Sequence, residues 1–280
     1  MPRRYLVVGA ASTIARFTSF FWEKKLKNLE SNLQKREVCH IRILSLNCST
    51  SRNAILKALL SNLDSQIFNV QFQFDPSTYD ELPNSSPSHL GTTRALIVAS
   101  EDDKCFCAGA DLKERKSFTD AETVVFLTLL RSSLNSLEDL PIPVIAAIAA
   151  PAFGGGFELA LAAHMRVVGS PDMRFPETRL PVVSGAGGGE EALRLGMADC
   201  LLEEDHSGVK SLRLRVLDEA VILAREICRG GPVAIRMTMW VFKQPGEEAE
   251  DLAYRRDLKT QDRKAALAGF AEKEPAFVGR

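Results

Sequence analysis

Residues 151–160 read PAFGGGFELA, and three consecutive glycines separate two different apolar patterns. The preceding run at 144–150, VIAAIAA, is typical of a strand that is buried on both faces. The following residues, FELALAAHM, carry apolar side chains at helical spacing. Glycine lets another group approach the backbone closely, and the first N–H groups of a helix have no partner inside that helix. The stretch therefore predicts a strand-to-helix turn whose N–H groups can bind an oxygen atom.

A second turn of the same kind is predicted at 106–115, FCAGADLKER. The apolar run at 94–100, RALIVAS, predicts the strand before it, the chain turns through Gly109, and a helix begins near Asp111. Two backbone donors from separate turns that converge on one oxygen form an oxyanion hole. On spacing alone, two ordinary glycine-containing turns are the alternative. The sequence lacks the glycine spacing of a dinucleotide-binding turn and the lysine of a phosphate-binding loop.

Two glutamates accompany these glycine-rich stretches. Glu158 follows the three glycines inside an apolar run, where a carboxylate is rarely left unless it is paired or functional. Glu177 precedes a second glycine cluster in FPETRLPVVSGAGGG. Two carboxylates near an oxyanion hole suit proton transfer at a carbon next to a carbonyl, or the addition of water. The structural alternative for Glu177 is an exposed carboxylate beside Arg174 or Arg179.

The rest of the chain alternates strands and helices and then becomes mostly helical, which indicates an α/β fold. Pro141 and Pro143 end the helix that follows the second turn. Further strands are predicted at 41–47 and 166–169, helices at 51–67, 121–140, 212–228, 232–242 and 247–273, and a long surface loop at 68–93. No linker or short-period repeat divides the chain. We therefore expect one domain over 41–280 and an N-terminal extension over 1–40.

Composition narrows the class of protein. The 280 residues are 45% hydrophobic and 25% charged, with a net charge of −1, so the chain as a whole does not attract nucleic acid or anionic membranes. No apolar run approaches the ~20 residues of a membrane span. The six cysteines match no zinc-binding spacing, which favours free thiols. The first 22 residues contain Arg3, Arg4 and Arg16 but no acidic residue, as in a mitochondrial presequence. A basic tail on a cytoplasmic protein is the alternative.

Several stretches in the same order resemble the crotonase (enoyl-CoA hydratase/isomerase) superfamily. The stretches that show this resemblance are FCAGADLKER, PVIAAIAAPAFGGGFELALAAHMRV and PETRLPVVSGAGG. The first is especially similar to the methylglutaconyl-CoA hydratase and AU-rich-RNA-binding branch. The resemblance covers most of residues 41–280. It implies an α/β fold, a crotonase-like spiral of ββα units with a C-terminal helical region. It also implies a homotrimer or a homohexamer built as a dimer of trimers.

The resemblance implies roles for individual residues. The N–H groups of Ala110 and Gly155 would hold a thioester oxygen, and Glu158 and Glu177 would share acid/base duty in adding water to an α,β-unsaturated acyl-CoA. The residues implied to bind the substrate are Ala110, Asp111, Leu112, Lys113 and Gly155, with Arg52 and Lys57 as candidates for the phosphates of CoA. We expect no metal and no cofactor, because coenzyme A is part of the substrate, and we expect no membrane partner.

The sequence also departs from the family pattern. After GAGGG the chain continues directly with EEALRLGMAD, whereas relatives carry roughly two dozen further residues, enough for a helix and its connection. We therefore expect an internal deletion near residue 189. Relatives commonly read FGLPE where this chain reads FPE, which shifts Glu177 relative to Glu158. The alternatives to a hydratase are an enoyl-CoA isomerase or other crotonase chemistry, or a catalytically weak RNA-binding or scaffold protein on the same fold, with 24–36 as a local basic patch.

Overall fold

A computed structural model describes residues 6–9, 40–83, 91–170, 188–202 and 210–269. Within these ranges, six strands form one parallel sheet in which each strand pairs with the next one along the chain. The strands are β1 (Leu6–Gly9), β2 (His40–Leu46), β3 (Thr93–Ser100), β4 (Val144–Ile148), β5 (Met165–Val168) and β6 (Cys200–Leu201). The four strands predicted from apolar runs are confirmed as β2 to β5. The edge strand β1 comes from the N-terminal extension.

The described residues contain nine α-helices. They are α1 (Lys57–Gln71), α2 (Leu112–Arg115), α3 (Asp120–Glu138), α4 (Gly155–Leu161), α5 (Gly189–Arg194), α6 (Leu212–Ile227), α7 (Pro232–Lys243), α8 (Glu247–Asp257) and α9 (Gln261–Gly269). Helix α3 begins with a capping box, in which Thr119 and Glu122 satisfy each other's backbone N–H groups. No helix in the described part of the chain is long and apolar enough to cross a membrane. The stretch 24–36, considered above for RNA, lies outside the described residues.

A second layer of short parallel contacts follows the central strands. Ile55, after β2, pairs with Ala110, which comes after β3, and Cys107 pairs with Ala152, which comes after β4. Each of these strands is therefore followed by a short extended segment and then by a helix. This repeat is the predicted spiral of ββα units, and it places the ends of three neighbouring repeats side by side.

Two predicted helices differ from the observed ones. The helix predicted at 51–67 begins only at Lys57, because Arg52 and Asn53 have φ of 51° and 55°, a left-handed conformation that a right-handed helix cannot contain. It continues to Gln71, so the predicted loop begins four residues later than expected.

The C-terminal helix predicted at 247–273 is divided in two. Helix α8 ends at Asp257, and the Thr260 hydroxyl accepts a hydrogen bond from the Arg263 N–H at 3.1 Å while donating to the Asp257 carbonyl at 2.7 Å. Thr260 therefore starts a new helix in the way that threonine does at an N-cap. Charge periodicity alone does not reveal this break.

Both faces of the sheet are covered, which explains why its strands are apolar almost without interruption. Helix α6 covers one face, and helices α1 and α3 cover the other. The first core contains Ile41, Ile43, Ala95, Ile97, Ala99, Ile145, Ala147 and Val167 against Val216, Leu217, Ala220, Val221 and Ala224. The second contains Leu44, Leu46, Leu96, Val98, Val144, Ala146 and Ile148 against Leu59, Leu60, Leu63, Ile67, Phe126, Leu130 and Leu137.

The predicted surface loop is in part a docking segment for the C-terminal helices. The Glu81 carboxylate lies 2.6 Å from the guanidinium of Arg236 in α7, and the Asp80 carboxylate lies 2.6 Å from that of Arg256 in α8. Arg256 also donates to the Thr78 carbonyl. Arg236 is buried, so removal of its partner would leave a buried charge uncompensated. Residues 84–90 of this loop lie outside the described residues.

A neutral histidine ties α3 to the start of β4. His164 Nδ1 accepts a hydrogen bond from the Val144 N–H at 3.0 Å, so Nε2 carries the proton and donates to the Glu138 carbonyl, also at 3.0 Å. Burial, with a smaller contribution from the nearby charges of Lys243 and Arg166, lowers the pKa of His164 from 6.5 to about 4. Protonation would remove the acceptor that the Val144 N–H needs.

This histidine predicts acid sensitivity. Because the pKa of His164 is lower in the folded chain than in the unfolded one, its stabilisation is complete above pH 6.5 and is lost as pH falls towards 4. We expect the free energy of unfolding to fall across this interval by up to about 3 kcal/mol from this group. Urea unfolding between pH 7 and 4 measures it. His164→Gln retains a donor and an acceptor but does not titrate, and an equally steep fall in this variant would contradict the prediction.

Candidate active site

Three short backbone segments meet at the ends of β2, β3 and β4. The central one, 106–110, lies between 52–55 and 151–153. On one side, the Ile55 N–H donates to the Gly109 carbonyl at 2.7 Å, and the Ala108 N–H donates to the Arg52 carbonyl at 3.0 Å. On the other side, the Phe106 N–H donates to Pro151 and the Phe153 N–H donates to Cys107, both at 2.9 Å. The two predicted turns are therefore parts of one hydrogen-bonded framework.

Glycines make close contact between the two turns possible. Gly109 has φ of 76°, and a Cβ atom at this position would lie 2.4 Å from the Phe153 carbonyl oxygen. A Cβ atom at Gly156 would lie 2.3 Å from the Cys107 carbonyl oxygen. Both distances are far below van der Waals contact. Only glycine at these two positions allows the start of α4 to pack directly on the segment 106–110.

The expected donors lie beside this contact. Gly155 is the first residue of α4, after Gly154 as N-cap, and Ala110 follows Gly109 directly. Within the described ranges, neither the Ala110 N–H nor the Gly155 N–H has a hydrogen-bond acceptor. A Cβ atom at Gly155 would lie 3.9 Å from Gly109 Cα, so the two turns are in contact at this point. The structure thus brings both residues to one place with their donors unused.

Glu158 lies on the same end of α4. A Cβ atom at Gly155 would lie 3.7 Å from Glu158 Oε2, which places the carboxylate beside the expected donors. The side chain is exposed, although its neighbours Phe157, Leu159 and Ala160 are buried. The helix directs the apolar neighbours into the core and the carboxylate to the other side. Glu177, the second predicted acid/base residue, lies outside the described residues.

Three other predicted substrate-binding residues directly follow the segment 106–110. Asp111 caps α2, because its Oδ1 accepts hydrogen bonds from the N–H groups of Lys113 and Glu114, both at 2.8 Å. Leu112 is 76% exposed, and Lys113 is exposed beside it.

The two candidates for CoA phosphates differ in their surroundings. The Lys57 ammonium lies 3.4 Å from a Glu122 oxygen and 4.3 Å from the centre of the Phe118 ring. Arg52 is exposed on the left-handed turn that follows β2. Both side chains are exposed, but Lys57 would have to exchange a protein partner for a phosphate, whereas Arg52 has no ion-pair partner within the described residues.

Asn53 is a buried polar residue at the site to which the sequence assigned no role. Its side chain contacts the loops after β2 and β3, and Cys107 donates a hydrogen bond from its thiol to the Asn53 carbonyl at 3.0 Å. The helical spacing of the apolar residues at 51–67 led to a predicted helix that included position 53. The available signal was its residue type, because asparagine adopts the left-handed conformation more readily than other non-glycine residues.

The cysteines at the site are structural. Burial raises the pKa of the Cys107 thiol to about 12, so it stays protonated and can donate to Asn53. Cys105 is also buried and donates to the Pro151 carbonyl at 3.4 Å. The five cysteines in the described residues form no disulfide. Over the same residues, no group of three or more His, Cys, Asp and Glu side chains is arranged to hold a metal ion.

This chain is similar to known proteins over most of its length. Residues 88–200 match the family described as enoyl-CoA hydratase/isomerase. The mitochondrial methylglutaconyl-CoA hydratase 1 of Pyricularia oryzae is 40% identical over 86% of this chain and 83% of its own length. An enoyl-CoA isomerase/hydratase of Zymoseptoria tritici is 42% identical over 86% and 84%, respectively. The mitochondrial methylglutaconyl-CoA hydratase of Mus musculus is 32% identical over 84% and 78%.

The fold has close counterparts among solved structures. The crystal structure of enoyl-CoA hydratase from Bacillus anthracis superposes with a TM-score of 0.71 and covers 88% of this chain and 98% of that chain. The two sequences are 24% identical, so this match concerns the fold alone. The α/β spiral inferred from the sequence is therefore confirmed.

Proposed function

Because this chain belongs to the enoyl-CoA hydratase/isomerase (crotonase) family and is an enoyl-CoA hydratase-like enzyme, we propose that it adds water to the double bond of an α,β-unsaturated acyl-CoA thioester. The observation that supports the proposal is the contact between the two glycine turns, each with a backbone N–H that has no acceptor among the described residues, near one carboxylate. These are the N–H groups of Ala110 and Gly155 and the side chain of Glu158.

The proposed chemistry follows from these groups. Addition of the water oxygen to the β-carbon moves electrons onto the thioester oxygen, and the resulting enolate then takes a proton at the α-carbon. The Ala110 and Gly155 N–H groups would bind the oxygen most strongly as its negative charge develops, which lowers the barrier rather than only tightening binding. Glu158 and Glu177 would share the removal of a proton from water and its delivery to carbon. No other cofactor is needed, since coenzyme A arrives with the substrate.

Binding of the CoA portion is proposed along the edge of the same framework. Residues 110–113 would line the pantetheine arm, because they follow the proposed oxyanion donor directly and Leu112 and Lys113 are exposed. Arg52 would meet the phosphates on the surface. Lys57 could join it only by leaving Glu122, so we expect it to contribute less.

The test is turnover of crotonyl-CoA by the purified full chain. We expect loss of the absorbance of the enoyl thioester, because hydration removes the conjugated double bond. The matched control is the same protein with the saturated butyryl-CoA, which has no double bond to hydrate. Unchanged absorbance with crotonyl-CoA and with a branched or carboxylated enoyl-CoA would contradict the proposal.

An isomerase is the second candidate, because the name of one relative includes both activities. The Zymoseptoria tritici relative is named an enoyl-CoA isomerase/hydratase. An isomerase would use the same oxyanion donors but would move a proton between carbons instead of adding water, for which one carboxylate suffices. Incubation with a 3-enoyl-CoA distinguishes the two, because only an isomerase would generate the conjugated 2-enoyl absorbance.

Assembly and location are further parts of the proposal. We infer a homotrimer or homohexamer, supported by large apolar side chains exposed on helices α6 to α9, which are Ile222, Phe242, Leu252 and Leu267. We also infer a mitochondrial protein, because the Pyricularia oryzae and Mus musculus relatives are named mitochondrial.

The expected internal deletion is also supported by an alignment length. The alignment with the Pyricularia oryzae relative extends over 291 residues but covers only 86% of this 280-residue chain, so this chain has gaps where the relative has residues.

A further inference from the structure

Asn53 uses every polar group that it has. It is fully buried, its N–H donates to the Cys48 carbonyl at 2.9 Å, and its Oδ1 accepts from the Cys48 N–H at 2.7 Å. Its Nδ2 donates to Ser100 Oγ at 2.9 Å and to the Phe106 carbonyl at 3.0 Å. The carbonyl accepts from the Cys107 thiol at 3.0 Å. One side chain therefore joins the loop after β2, the end of β3 and the segment 106–110.

The residue type is closely matched to this position. The backbone of Asn53 has φ of 55°, which asparagine tolerates better than other residues with a Cβ. The side chain must supply one acceptor and two donors, and a neutral amide provides this set. Aspartate has the same shape, but as a carboxylate it supplies acceptors only. It would place a negative oxygen against the Phe106 carbonyl.

We propose that Asn53 is a positioning residue for the oxyanion hole, an inference that rests on the proposed function. Asn53 makes hydrogen bonds to Phe106 and Cys107 directly. Two residues after Asn53, the Ile55 N–H donates to the Gly109 carbonyl at 2.7 Å. The 106–110 segment in turn contacts Gly155. Loss of the amide would release one side of this segment and let the Ala110 donor move relative to the Gly155 donor.

The primary test is Asn53→Asp assayed as the full chain with crotonyl-CoA. We expect kcat to fall by about 10- to 100-fold, because displacement of about 1 Å at a reacting centre costs about 100-fold. KM should change by less than about threefold, since oxyanion donors act mainly in the transition state. Ser100→Ala removes one acceptor of the same amide and should lower kcat by about 3- to 10-fold. It serves as the second variant if Asn53→Asp does not fold.

The matched control is Gln73→Glu, which changes another fully buried amide. Gln73 Nε2 donates to the Asn69 carbonyl at 3.0 Å, and its Oε1 accepts from the Thr93 N–H at 2.8 Å, at the opposite end of β3. This variant should lose stability but retain the kcat of its folded fraction. A kcat loss equal to that of Asn53→Asp would show that any buried amide has this effect and would overturn the inference.

A spectroscopic measurement separates this inference from the proposed function. Hydrogen bonds to the carbonyl of a conjugated thioester such as cinnamoyl-CoA shift its absorbance to longer wavelength on binding. We expect a full shift in the wild type and Gln73→Glu, and a reduced shift at saturation in Asn53→Asp. A full shift and wild-type kcat in both Asn53→Asp and Ser100→Ala would overturn the inference alone. A wild type that neither binds nor converts any enoyl-CoA would overturn the proposed function.

Discussion

Replacing Glu158 with glutamine is expected to lower kcat by about 10²- to 10⁴-fold, the range for loss of a general acid or base. This corresponds to about 3 to 5 kcal/mol of activation free energy. Glutamine has nearly the same shape and keeps a polar group beside Gly155, but it cannot take or give a proton at neutral pH. KM for crotonyl-CoA should change little, because the backbone donors remain. Initial rates over a range of crotonyl-CoA concentrations measure both constants.

The chain offers a matched control for this variant. Glu190 is also exposed and also lies in the first turn of a short helix that follows glycines, in α5. Glu190→Gln makes the same chemical change in a helix that carries none of the proposed site residues and should retain the wild-type kcat. Equal rates for wild type and Glu158→Gln would remove Glu158 from the mechanism. Equal losses of kcat in Glu158→Gln and Glu190→Gln would show that the effect comes from the general change in charge.

Replacing Gly109 with alanine is expected to lower kcat by at least about 100-fold. The new methyl group would lie 2.4 Å from the Phe153 carbonyl oxygen, which itself accepts the Gly156 N–H at 2.8 Å. The strain is therefore relieved only if the start of α4 or the segment 106–110 moves, which displaces Gly155 or Ala110. The left-handed φ adds about 1–2 kcal/mol of destabilisation for alanine. Steady-state kinetics and thermal unfolding measure the two effects.

Gly196 provides a control that separates the effect of the left-handed backbone conformation from the effect of steric contact. It has φ of 72°, close to the 76° of Gly109, but a Cβ atom there would have no atom within 4 Å. Gly196→Ala should therefore lower the melting temperature modestly and leave kcat unchanged. If Gly109→Ala lost no more activity than Gly196→Ala, the close packing of the two turns would have no catalytic importance.

The sequence predicted those features that depend on local pattern. Apolar runs located β2 to β5 because strands buried on both faces leave little room for polar residues. The two glycine turns were located for a similar reason, since strand, glycine and helix follow each other directly. The exposure of Glu158 did not follow from its apolar neighbours, because a helix sends adjacent residues to different faces.

Other structural features depend on residues that are far apart in the sequence, so local sequence patterns could not predict them. The left-handed turn at Arg52 and Asn53 is fixed by bonds to Ser100 and Phe106, about fifty positions away. The attachment of Asp80 to Arg256 joins residues 176 positions apart. Hydrophobic periodicity carries no information about such pairs. The proposed roles of Ala110 and Gly155 come from the family resemblance, because composition and spacing did not distinguish their turns from ordinary ones.

The order of the strands has a consequence for how the protein is made. Each of the described strands after β1 pairs with the one before it, so on the ribosome each of them emerges beside a partner that has already been synthesised. We expect the sheet to grow in one direction during translation. The ion pairs of Asp80 and Glu81 with α8 and α7 form only near the end of synthesis. Until then, the loop after α1 lacks these ion pairs in the nascent chain. We expect chaperones and proteases to reach the loop during this period.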